Sequence, residues 1–253
     1  MAQRIVLITG ATSGIGEATA RLLAKNKYSL IICGRRQDRL DKLRTELQAD
    51  TKVTTLSFDV REYDAVKAAL QSLPEAWKKI DVLINNAGNA HGLDPIHKGS
   101  IQDWDAMMDI NVKGLLYVSR EVMPGMTDRK SGHIINIGSV AGKEVYANGN
   151  VYCASKFAVD ALTKGMRIDL NPFGVKVTSI HPGLVETEFS LVRFKGDADK
   201  ASTVYKGIQP LTGHDIAETI LYVLSTPDHV VIADMVIFPK AQGSATVVNR
   251  MNQ

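Results

Sequence analysis

The most chemically specific pattern in the chain is a tyrosine and a lysine four residues apart, Tyr152 and Lys156. This spacing places a phenol and an ammonium on one face of a helix, within reach of the same small molecule. A free phenol has a pKa of about 10, and a nearby cation lowers that pKa because it favours tyrosinate. We therefore expect Tyr152 to exchange a proton with a hydroxyl or carbonyl group while Lys156 assists.

Two polar residues that precede this pair fit the same chemistry. Ser139 closes a predicted strand, where its hydroxyl can donate to a carbonyl oxygen as negative charge develops there. Asn111 lies within a long predicted helix, where it can interrupt the helical ladder and hold a water that joins Lys156 to solvent. Taken singly, Ser139 is equally consistent with a turn serine and Asn111 with an ordinary helix residue. The predicted catalytic set of Asn111, Ser139, Tyr152 and Lys156 rests on the combination, with Ser139 and Tyr152 also contacting substrate.

A glycine-rich turn follows the first predicted strand and leads into a helix, from Thr9 to Gly16. Glycine permits a tight turn, a close approach of the backbone to a pyrophosphate, and close packing of helix on strand. The N–H groups at the start of the helix can then bind phosphate oxygens. The pattern predicts a dinucleotide site made by Gly10, Thr12, Ser13, Gly14, Ile15 and Gly16.

The second predicted strand ends in Gly34-Arg35-Arg36, without the acidic residue that NAD-binding folds place there for the ribose 2′-hydroxyl. A guanidinium binds a 2′-phosphate through charge-assisted, bidentate hydrogen bonds, and Ser13 can donate a further one. We therefore expect Arg35 and Arg36 to select NADP. The alternative is that they are two solvated arginines at the start of a helix.

Further cofactor candidates follow the third and fourth predicted strands. Asp59, with Val60 beside it, can accept a hydrogen bond from an adenine amino group. The alternative is that Asp59 caps the following helix. The fourth strand ends in small residues that let a ribose lie against the backbone, Asn86, Ala87 and Gly88.

Short apolar runs alternate with segments of helical periodicity, which is typical of an α/β fold with a parallel sheet. Seven runs rich in valine and isoleucine are predicted strands: Ile5–Thr9, Ser29–Cys33, Val53–Phe58, Val82–Asn85, His133–Ile137, Val175–Ile180 and Val231–Phe238. Helices are predicted near Gly14–Asn26, Arg36–Gln48, Glu62–Leu73, Ile101–Met126, Val151–Leu170 and Gly213–Ser225. We expect one doubly wound Rossmann domain over residues 1–253, with a seven-stranded parallel sheet.

One segment, residues 186–210, breaks this alternation because it carries charge and glycine without a clear period. A long irregular segment in a compact domain is usually a functional lid or a disordered loop. Since it follows the sixth strand, at the carboxyl edge of the sheet, we expect a short lid over the site.

Composition argues against several other classes of protein. The net charge of the 253 residues is only +3, and basic pairs such as Arg35-Arg36 are too short for a nucleic-acid footprint. The sequence contains no apolar run long enough to span a membrane and no signal-peptide pattern. Its two cysteines and its histidines lack ligand spacing, so we expect no metal. These features favour a cytoplasmic enzyme for a small-molecule substrate, with neither nucleic acid nor membrane as partner.

On these residues the chain resembles the short-chain dehydrogenase/reductase family over essentially its whole length. The matching motifs are Thr9-Gly10 with Gly14-Ile15-Gly16, Asn85-Asn86-Ala87-Gly88, Asn111, Ser139, Tyr152 with Lys156, and Pro182-Gly183. The resemblance implies a catalytic tetrad in which Lys156 also binds the nicotinamide ribose. It implies that residues 182–189 line the nicotinamide side, among them Pro182, Gly183, Val185 and Thr187. It further implies a homotetramer, built partly from the helices near Ile101–Met126 and Val151–Leu170.

Three stretches are similar to a narrower group, the NADP-dependent 3-hydroxy acid dehydrogenases: residues 33–40, 133–139 and 182–197. This resemblance implies hydride transfer between NADP(H) and short 3-hydroxy acids or their semialdehydes, such as serine, L-allo-threonine and 3-hydroxypropionate. Residues 182–189 are one residue shorter than in some members of the group. We expect Arg193 or Lys195 to meet the substrate carboxylate when the lid closes. A solvated lid charge is the alternative.

Two other functions stay open on the sequence. One is an NADPH-dependent reductase of larger apolar or acyl-carrier-bound carbonyls, which would share the same catalytic residues. The other is a nucleotide-sensing protein that kept the fold and lost catalysis. The complete set of Asn111, Ser139, Tyr152 and Lys156 argues against the second.

Overall fold

The computed structural model describes residues 3–251. The strands are β1 (Ile5–Ile8), β2 (Ser29–Gly34), β3 (Val53–Ser57), β4 (Val82–Asn85), β5 (Gly132–Ile137), β6 (Val175–Pro182), β7 (Val185–Glu186), β8 (Leu211–Thr212) and β9 (Asp234–Ile237). The α-helices are α1 (Gly14–Lys25), α2 (Gln37–Leu47), α3 (Tyr63–Gln71), α4 (Ile101–Met108), α5 (Gly114–Arg129), α6 (Asn150–Leu170), α7 (Phe189–Arg193), α8 (Ala198–Thr203) and α9 (Gly213–Ser225). Strands and helices alternate along the chain, which confirms the predicted α/β class.

Seven of the strands form one sheet in the order β3-β2-β1-β4-β5-β6-β9. Every neighbouring pair is parallel, and the register places Leu7 of β1 between Ile31 of β2 and Leu83 of β4. The strand order reverses between β1 and β4, and ligands of doubly wound folds bind in the crevice at such a reversal. The predicted seven-stranded parallel sheet is therefore confirmed, and it brings the ends of β1 and β4 together.

Both faces of this sheet are covered by helices, which explains why its central strand β1 is apolar on both faces rather than alternating. Successive residues of β1 point to opposite faces. Leu7 packs in a core with residues of α3, α5 and α6, whereas Val6 and Ile8 pack in a second core with residues of α1, α2 and α9. All three side chains are fully buried. The two cores fix the strand ends that carry the polar residues.

The helix predicted over Ile101–Met126 is two α-helices joined by a π-helical turn, Asp109–Lys113. Asn111 lies in the middle of this turn and is buried. The sequence predicted an interruption of the ladder at Asn111, and the wider turn is that interruption. Among residues 3–251, no helix combines the length and the apolar character needed to cross a bilayer.

The segment predicted to be irregular, residues 186–210, is regular over much of its length, so that part of the prediction was wrong. It contains α7 and α8, and it is bracketed by β7 and β8, which pair in parallel as a small second sheet. Asp197 caps α8 by accepting a hydrogen bond from the N–H of Lys200. Helices of five and six residues are too short for a period to be visible in the sequence.

The last strand of the main sheet is shorter than predicted. The sequence predicted Val231–Phe238, whereas β9 covers Asp234–Ile237. It lies at the edge of the sheet and pairs only with the last four residues of β6, from Ser179 to Pro182. Before it, in the described part of the chain, only the carbonyl of Ala233 accepts a backbone hydrogen bond from β6, at 3.1 Å from the Ser179 nitrogen, although the composition of this stretch favours a strand.

Candidate active site

The glycine-rich turn is tied to the neighbouring strand end by Asn86. Gly10 has a φ of +65°, which a side chain would strain, and the Asn86 Nδ2 donates to the carbonyls of Thr9 at 3.0 Å and Gly10 at 3.1 Å. A Cβ on Gly16 would lie 2.4 Å from the Gly10 carbonyl oxygen. Gly16 therefore lets α1 pack against the turn, as the sequence predicted for one of the three glycines.

A single cleft follows the carboxyl edge of the main sheet from this turn to Tyr152 and Lys156 in α6. It is lined by almost all of the predicted site residues: Gly10, Thr12, Ser13, Gly14, Ile15, Arg35, Arg36, Asp59, Val60, Asn86, Ala87, Gly88, Ser139, Tyr152, Lys156, Pro182, Gly183, Val185, Thr187 and Arg193. Gly16 and Asn111 lie behind the lining. The lid also lines the cleft, through residues of α7. The fold thus brings the residues of several distant motifs to one elongated groove.

The two predicted arginines point to different parts of the cleft. The Arg36 guanidinium donates to the hydroxyls of Thr12 at 3.0 Å and Ser13 at 3.1 Å. The Arg35 guanidinium lies 3.6 Å from the Asp59 carboxylate instead, and its side chain is more than half exposed. Arg36 with the two hydroxyls therefore forms a preorganised group of donors beside the glycine turn, which suits a phosphate.

A third arginine, Arg39, lies beside Arg36 and was missed in the sequence analysis. Arg39 lies one turn after Arg36 on α2 and donates to Glu188 at 2.8 Å, while Arg36 donates to the other Glu188 oxygen at 3.2 Å. The spacing of three between Arg36 and Arg39 was a signal that could have found it. Nothing in the sequence placed Glu188 here, because the contact joins residues 149 and 152 positions apart.

Asp59 does not cap a helix, so the alternative that the sequence left open is wrong. α3 begins at Tyr63, and Glu62 occupies its N-cap position. The Asp59 carboxylate instead accepts from the Arg61 guanidinium at 2.7 Å and from the Arg61 N–H at 3.0 Å. Burial acts to raise the pKa of Asp59, but the hydrogen bonds from Arg61 outweigh it and hold that pKa below its usual value. The carboxylate therefore stays ionised at the edge of the cleft.

Tyr152 and Lys156 are both buried on one face of α6, as the spacing predicted. The Lys156 Nζ donates to the carbonyl of Ile137 at 3.0 Å and lies 6.0 Å from the centre of the Tyr152 ring. Burial lowers the pKa of Lys156 to about 8 and raises that of Tyr152 above its ordinary value. The expected lowering of the tyrosine pKa by the lysine is thus not found, because desolvation of the phenol dominates.

Ser139 faces the phenol and also forms part of a turn. Its hydroxyl accepts from the N–H of Ala141 at 3.1 Å and shares a hydrogen bond with Tyr152, which acts to lower the Tyr152 pKa. The turn interpretation that the sequence allowed for Ser139 is therefore confirmed, and its catalytic role stays a prediction. Its position at the end of β5 sets its hydroxyl beside the phenol in the cleft.

Asn111 joins three segments through side-chain hydrogen bonds: the π turn, the loop after β4, and α6. Its Nδ2 donates to the carbonyl of Asn89 at 2.9 Å and to the hydroxyl of Ser155 at 3.0 Å, and its Oδ1 accepts from the Asn89 N–H at 2.8 Å. A Cβ on Gly88 would lie 2.9 Å from that Oδ1 and 3.6 Å from the Lys156 Nζ. The π turn thus fixes the loop after β4 beside Lys156.

A partly buried polar cluster, to which the sequence analysis gave no role, lies behind Ser139. The Nδ1 of His181 lies 3.1 Å from the Ser139 carbonyl oxygen, and its Nε2 lies 3.2 Å from Asp234 and 3.6 Å from Asp160. Lys143 forms ion pairs with both carboxylates. Burial, and then Lys143, lower the pKa of His181. These residues come from four segments, so no sequence spacing could predict the cluster.

The lid places Arg193 beside the phenol. Its guanidinium carbon lies 5.1 Å from the centre of the Tyr152 ring, 5.6 Å from that of Tyr146 and 5.8 Å from that of Phe189. It also donates to the Tyr146 hydroxyl at 2.5 Å. Lys195, the other predicted candidate, pairs with Asp103 at 2.9 Å instead. Tyr146 was missed because an isolated aromatic residue carries no spacing signal, whereas Phe189 is the last residue of the predicted range 182–189.

The chain is similar to several known proteins over almost its whole length. The profile of the short chain dehydrogenase family matches residues 4–197. The NADP-dependent 3-hydroxy acid dehydrogenase YdfG of Salmonella typhi is 49% identical over 242 residues, covering 95% of this chain and 97% of the relative. Sulfoacetaldehyde reductase 2 of Chromohalobacter salexigens is 43% identical over 248 residues, covering 97% and 98%. A solved structure, the closed form of serine dehydrogenase complexed with NADP+, is 46% identical with a TM-score of 0.92, covering 98% of this chain and 100% of the other.

Proposed function

The chain belongs to the short-chain dehydrogenase family, and we propose that it transfers a hydride between NADP(H) and short 3-hydroxy acids or their semialdehydes. The substrate class is that of serine, L-allo-threonine and 3-hydroxypropionate. The observation that carries the proposal is the placement of the Arg193 guanidinium beside the Tyr152 phenol, 5.1 Å from the ring centre. A group that binds acids thus adjoins a group that can exchange a proton with the reacting oxygen.

The residues at the arginine end fit a dinucleotide that carries a 2′-phosphate. The start of α1 and the turn from Gly10 offer backbone N–H groups to the pyrophosphate. Arg36, with the hydroxyls of Thr12 and Ser13 on it, would hold the 2′-phosphate. The relatives named above as NADP-dependent or complexed with NADP+ support the same choice. When bound, the nicotinamide supplies or accepts the hydride.

Tyr152 is assigned the proton transfer. Because burial raises its pKa, the phenol holds its proton at neutral pH, and in reduction it donates that proton to the carbonyl oxygen of the substrate. In oxidation Tyr152 must accept a proton from the substrate hydroxyl, which it can do only as tyrosinate. A cation beside the phenol favours that ionised form. Lys156, with a pKa near 8, is protonated in most molecules at neutral pH and meets that need.

Ser139 and Asn111 are assigned supporting roles. Ser139 would donate its hydroxyl hydrogen to the substrate oxygen and so stabilise the negative charge that develops on it. Asn111 would hold the loop after β4 in place beside Lys156 through its hydrogen bonds to Asn89. A water on the Asn89–Asn111 pair would connect Lys156 to solvent and return the proton.

Arg193 is assigned the acidic end of the substrate. A guanidinium binds a carboxylate or a sulfonate through two parallel N–H donors. One of the relatives is named as a reductase of sulfoacetaldehyde, which also carries an anion close to its carbonyl group. The same charge disfavours a large apolar substrate, because Arg193 would then be buried against it without a partner.

We also propose that the protein is a cytoplasmic homotetramer. Exposed apolar side chains on three neighbouring helices support the assembly: Ile101 at 64% exposure, Leu116 at 36%, Phe157 at 41% and Ile168 at 74%. Apolar patches of this kind are usual at subunit interfaces. The free, buried cysteines Cys33 and Cys153 are compatible with a reducing compartment.

The proposal is tested by following NADP+ reduction with serine, L-allo-threonine, 3-hydroxypropionate and a neutral secondary alcohol of similar size. We expect turnover of at least one of the hydroxy acids at a kcat/KM well above that of the neutral alcohol, and little turnover with NAD+. Equal turnover of acid and neutral alcohol would overturn the substrate assignment. A preference for NAD+ would overturn the cofactor assignment.

A further inference from the structure

The ring of His181 lies against the backbone at the end of β5, next to Ser139. It is fully buried, at 0% exposure. A Cβ on Gly138 would lie 2.5 Å from the His181 Nδ1, which is too close for a side chain to fit. The ring therefore requires glycine at position 138 in order to reach the backbone of Ser139.

The Nδ1 of His181 donates a hydrogen bond to the Ser139 carbonyl. A carbonyl oxygen only accepts, so this 3.1 Å contact places a proton on Nδ1. Burial, and then Lys143, lower the pKa of the ring, which is consequently neutral at neutral pH and carries no second proton on Nε2. The Nε2 lies 3.2 Å from Asp234 and forms no hydrogen bond within residues 3–251. Of the two ring nitrogens, the one that faces Ser139 is thus the donor.

Ser139 begins a tight turn that holds its hydroxyl in place. Its carbonyl accepts from the Gly142 N–H at 2.8 Å as well as from His181, so both of its lone pairs are used. The Ser139 hydroxyl accepts from the Ala141 N–H at 3.1 Å in the same turn. Since that contact uses a lone pair, the hydroxyl hydrogen stays free to point toward Tyr152 and the substrate. The carbonyl and the hydroxyl of Ser139 are therefore held by one set of backbone contacts.

The far end of this turn is anchored separately. Lys143 follows the turn and forms ion pairs with Asp160 of α6 and Asp234 of β9. A Cβ on Gly142 would lie 2.6 Å from a backbone carbonyl oxygen of α6, so the turn packs directly on that helix. The His181 ring is thus the side chain of the cluster that acts on the first residue of the turn.

We propose that His181 is a positioning residue for Ser139: its Nδ1–H fixes the Ser139 carbonyl, and the turn transmits that constraint to the hydroxyl. The inference rests on the catalytic role proposed above for Ser139. His181 acts without touching substrate or cofactor, because its ring is fully buried and does not line the cleft. Without this donor the peptide after Ser139 can rotate, and the hydroxyl loses its direction toward Tyr152. The chemical step then slows while cofactor binding is retained.

Two amide substitutions separate the two nitrogens of the ring. In His181→Asn the amide nitrogen lies near the Nδ1 position and can still donate to the Ser139 carbonyl, whereas in His181→Gln it lies near the Nε2 position. We expect His181→Gln to lower the single-turnover rate of NADPH formation about 3- to 10-fold, the usual factor of one hydrogen bond, and His181→Asn less than about twofold. The Kd of NADP+ should change little in either variant. Packing alone predicts the reverse order, because glutamine fills the space of the ring better than asparagine.

His133→Gln is the matched control. His133 is a second buried histidine, at the start of β5, and its Nε2 lies 2.9 Å from the Thr178 hydroxyl, outside the cleft. Its single-turnover rate should equal that of the unaltered chain, and chemical denaturation gives the stability of each variant. Rates that follow stability across the three variants, or a faster His181→Gln than His181→Asn, would overturn the inference.

A double-mutant cycle with Ser139→Ala tests whether His181 acts through Ser139. In the Ser139→Ala background no hydroxyl remains to be positioned, so His181→Gln should change the single-turnover rate less than about twofold. A further loss of about 3- to 10-fold in that background would mean that His181 acts on another group, and the inference would fail.

Amide hydrogen exchange of residues 139–143 tests the same constraint without turnover. Exchange there should be faster in His181→Gln than in the unaltered chain, and close to the unaltered rate in His181→Asn. Equal exchange in all three chains would contradict the inference. If the unaltered chain oxidises none of the hydroxy acids with NADP+, the proposed function fails, while exchange still decides whether His181 fixes the turn.

Discussion

The guanidinium of Arg193 lies over the ring of Tyr152, 5.1 Å from its centre, and so connects the lid to the group assigned the proton transfer. Arg193 is held there by the Tyr146 hydroxyl and by the Phe189 ring. Each of these partners is an uncharged aromatic residue, so the guanidinium has no carboxylate partner within the described residues. A substrate anion would supply the missing countercharge.

Replacing Arg193 with methionine should therefore raise KM for a hydroxy acid by about 10- to 100-fold, because a charge-assisted hydrogen bond to a substrate contributes about 1.5–3 kcal/mol. The kcat/KM for a neutral alcohol should change much less. Steady-state kinetics on serine and on a neutral alcohol give both values. Lys195→Met is the matched control, because Lys195 pairs with Asp103 outside the cleft. Similar losses on both substrates would contradict the assignment.

Replacing Tyr152 with phenylalanine should lower kcat by about 10²- to 10⁴-fold, the usual contribution of general acid–base catalysis. The hydroxyl is the only atom removed, and the ring keeps its contact with Phe189, 5.6 Å between centres. The Kd of NADP+ should therefore change little, which fluorescence titration can measure. A variant that retains more than about a tenth of the activity would show that another group transfers the proton.

The lowered pKa of Lys156 predicts how the free energy of unfolding depends on pH. The folded chain releases this proton near pH 8, whereas the unfolded chain keeps it to about pH 10.5. Between these values the unfolded state binds more protons, so this lysine makes stability rise with pH. The gain approaches about 3 kcal/mol at the upper end of that window.

Urea unfolding of the cofactor-free chain and of Lys156→Met at pH 7.5, 8.5 and 9.5 isolates this effect by difference. The difference in the free energy of unfolding between the two chains should shrink as the pH rises, with the methionine variant relatively more stable at pH 7.5. Above pH 10 the raised pKa of Tyr152 acts in the opposite direction, because the folded chain then holds the extra proton. A difference in the free energy of unfolding that stays constant from pH 7.5 to 9.5 would exclude a lowered pKa of Lys156.

Two glycine-to-alanine substitutions should have opposite effects on stability. At Gly16 a Cβ would lie 2.4 Å from the Gly10 carbonyl oxygen, so Gly16→Ala must displace the turn and should cost about 1–3 kcal/mol. At Gly165, within α6, a Cβ would meet no atom within 4 Å. Gly165→Ala should therefore stabilise by about 0.5–1 kcal/mol.

Chemical denaturation measures both free energies, and titration with NADP+ measures the effect on the site. Only Gly16→Ala should weaken NADP+ binding, since only Gly16 fixes the glycine turn. Loss of stability in Gly165→Ala would mean that α6 is less open at this position than its surroundings indicate.

Much of the fold could be predicted from the sequence because its signals are local. The apolar runs of a parallel sheet that is buried on both faces are unmistakable, and six of the seven strands were located within two residues. The edge strand β9 was predicted too long because its pairing depends on how far β6 extends, which is a tertiary fact. Helices α7 and α8 were not predicted because each has fewer than two turns, which is too short for a visible period.

In the candidate site, too, residues at local spacings could be predicted and contacts between distant segments could not. Tyr152 with Lys156 and the glycines of the first turn lie at fixed local spacings, and all of them except the packing residue Gly16 line the cleft. Glu188 and His181 act across long separations, so their contacts with Arg36, Arg39 and Ser139 could not be inferred from spacing. Burial raises the pKa of Tyr152 against the lowering expected from Lys156, and the sequence does not reveal the depth of burial on which this desolvation depends.

The π turn at Asp109–Lys113 has a consequence for how the chain tolerates changes in length. A π turn holds about one residue more than an α turn, and one residue corresponds to about 100° of rotation about a helix axis. Deleting one residue there would let α4 and α5 join as an uninterrupted α-helix. Asn111 would then move away from Asn89. The extra residue thus turns Asn111 toward Asn89 while α4 and α5 keep their facing, so a single deletion there should impair the site more than the fold.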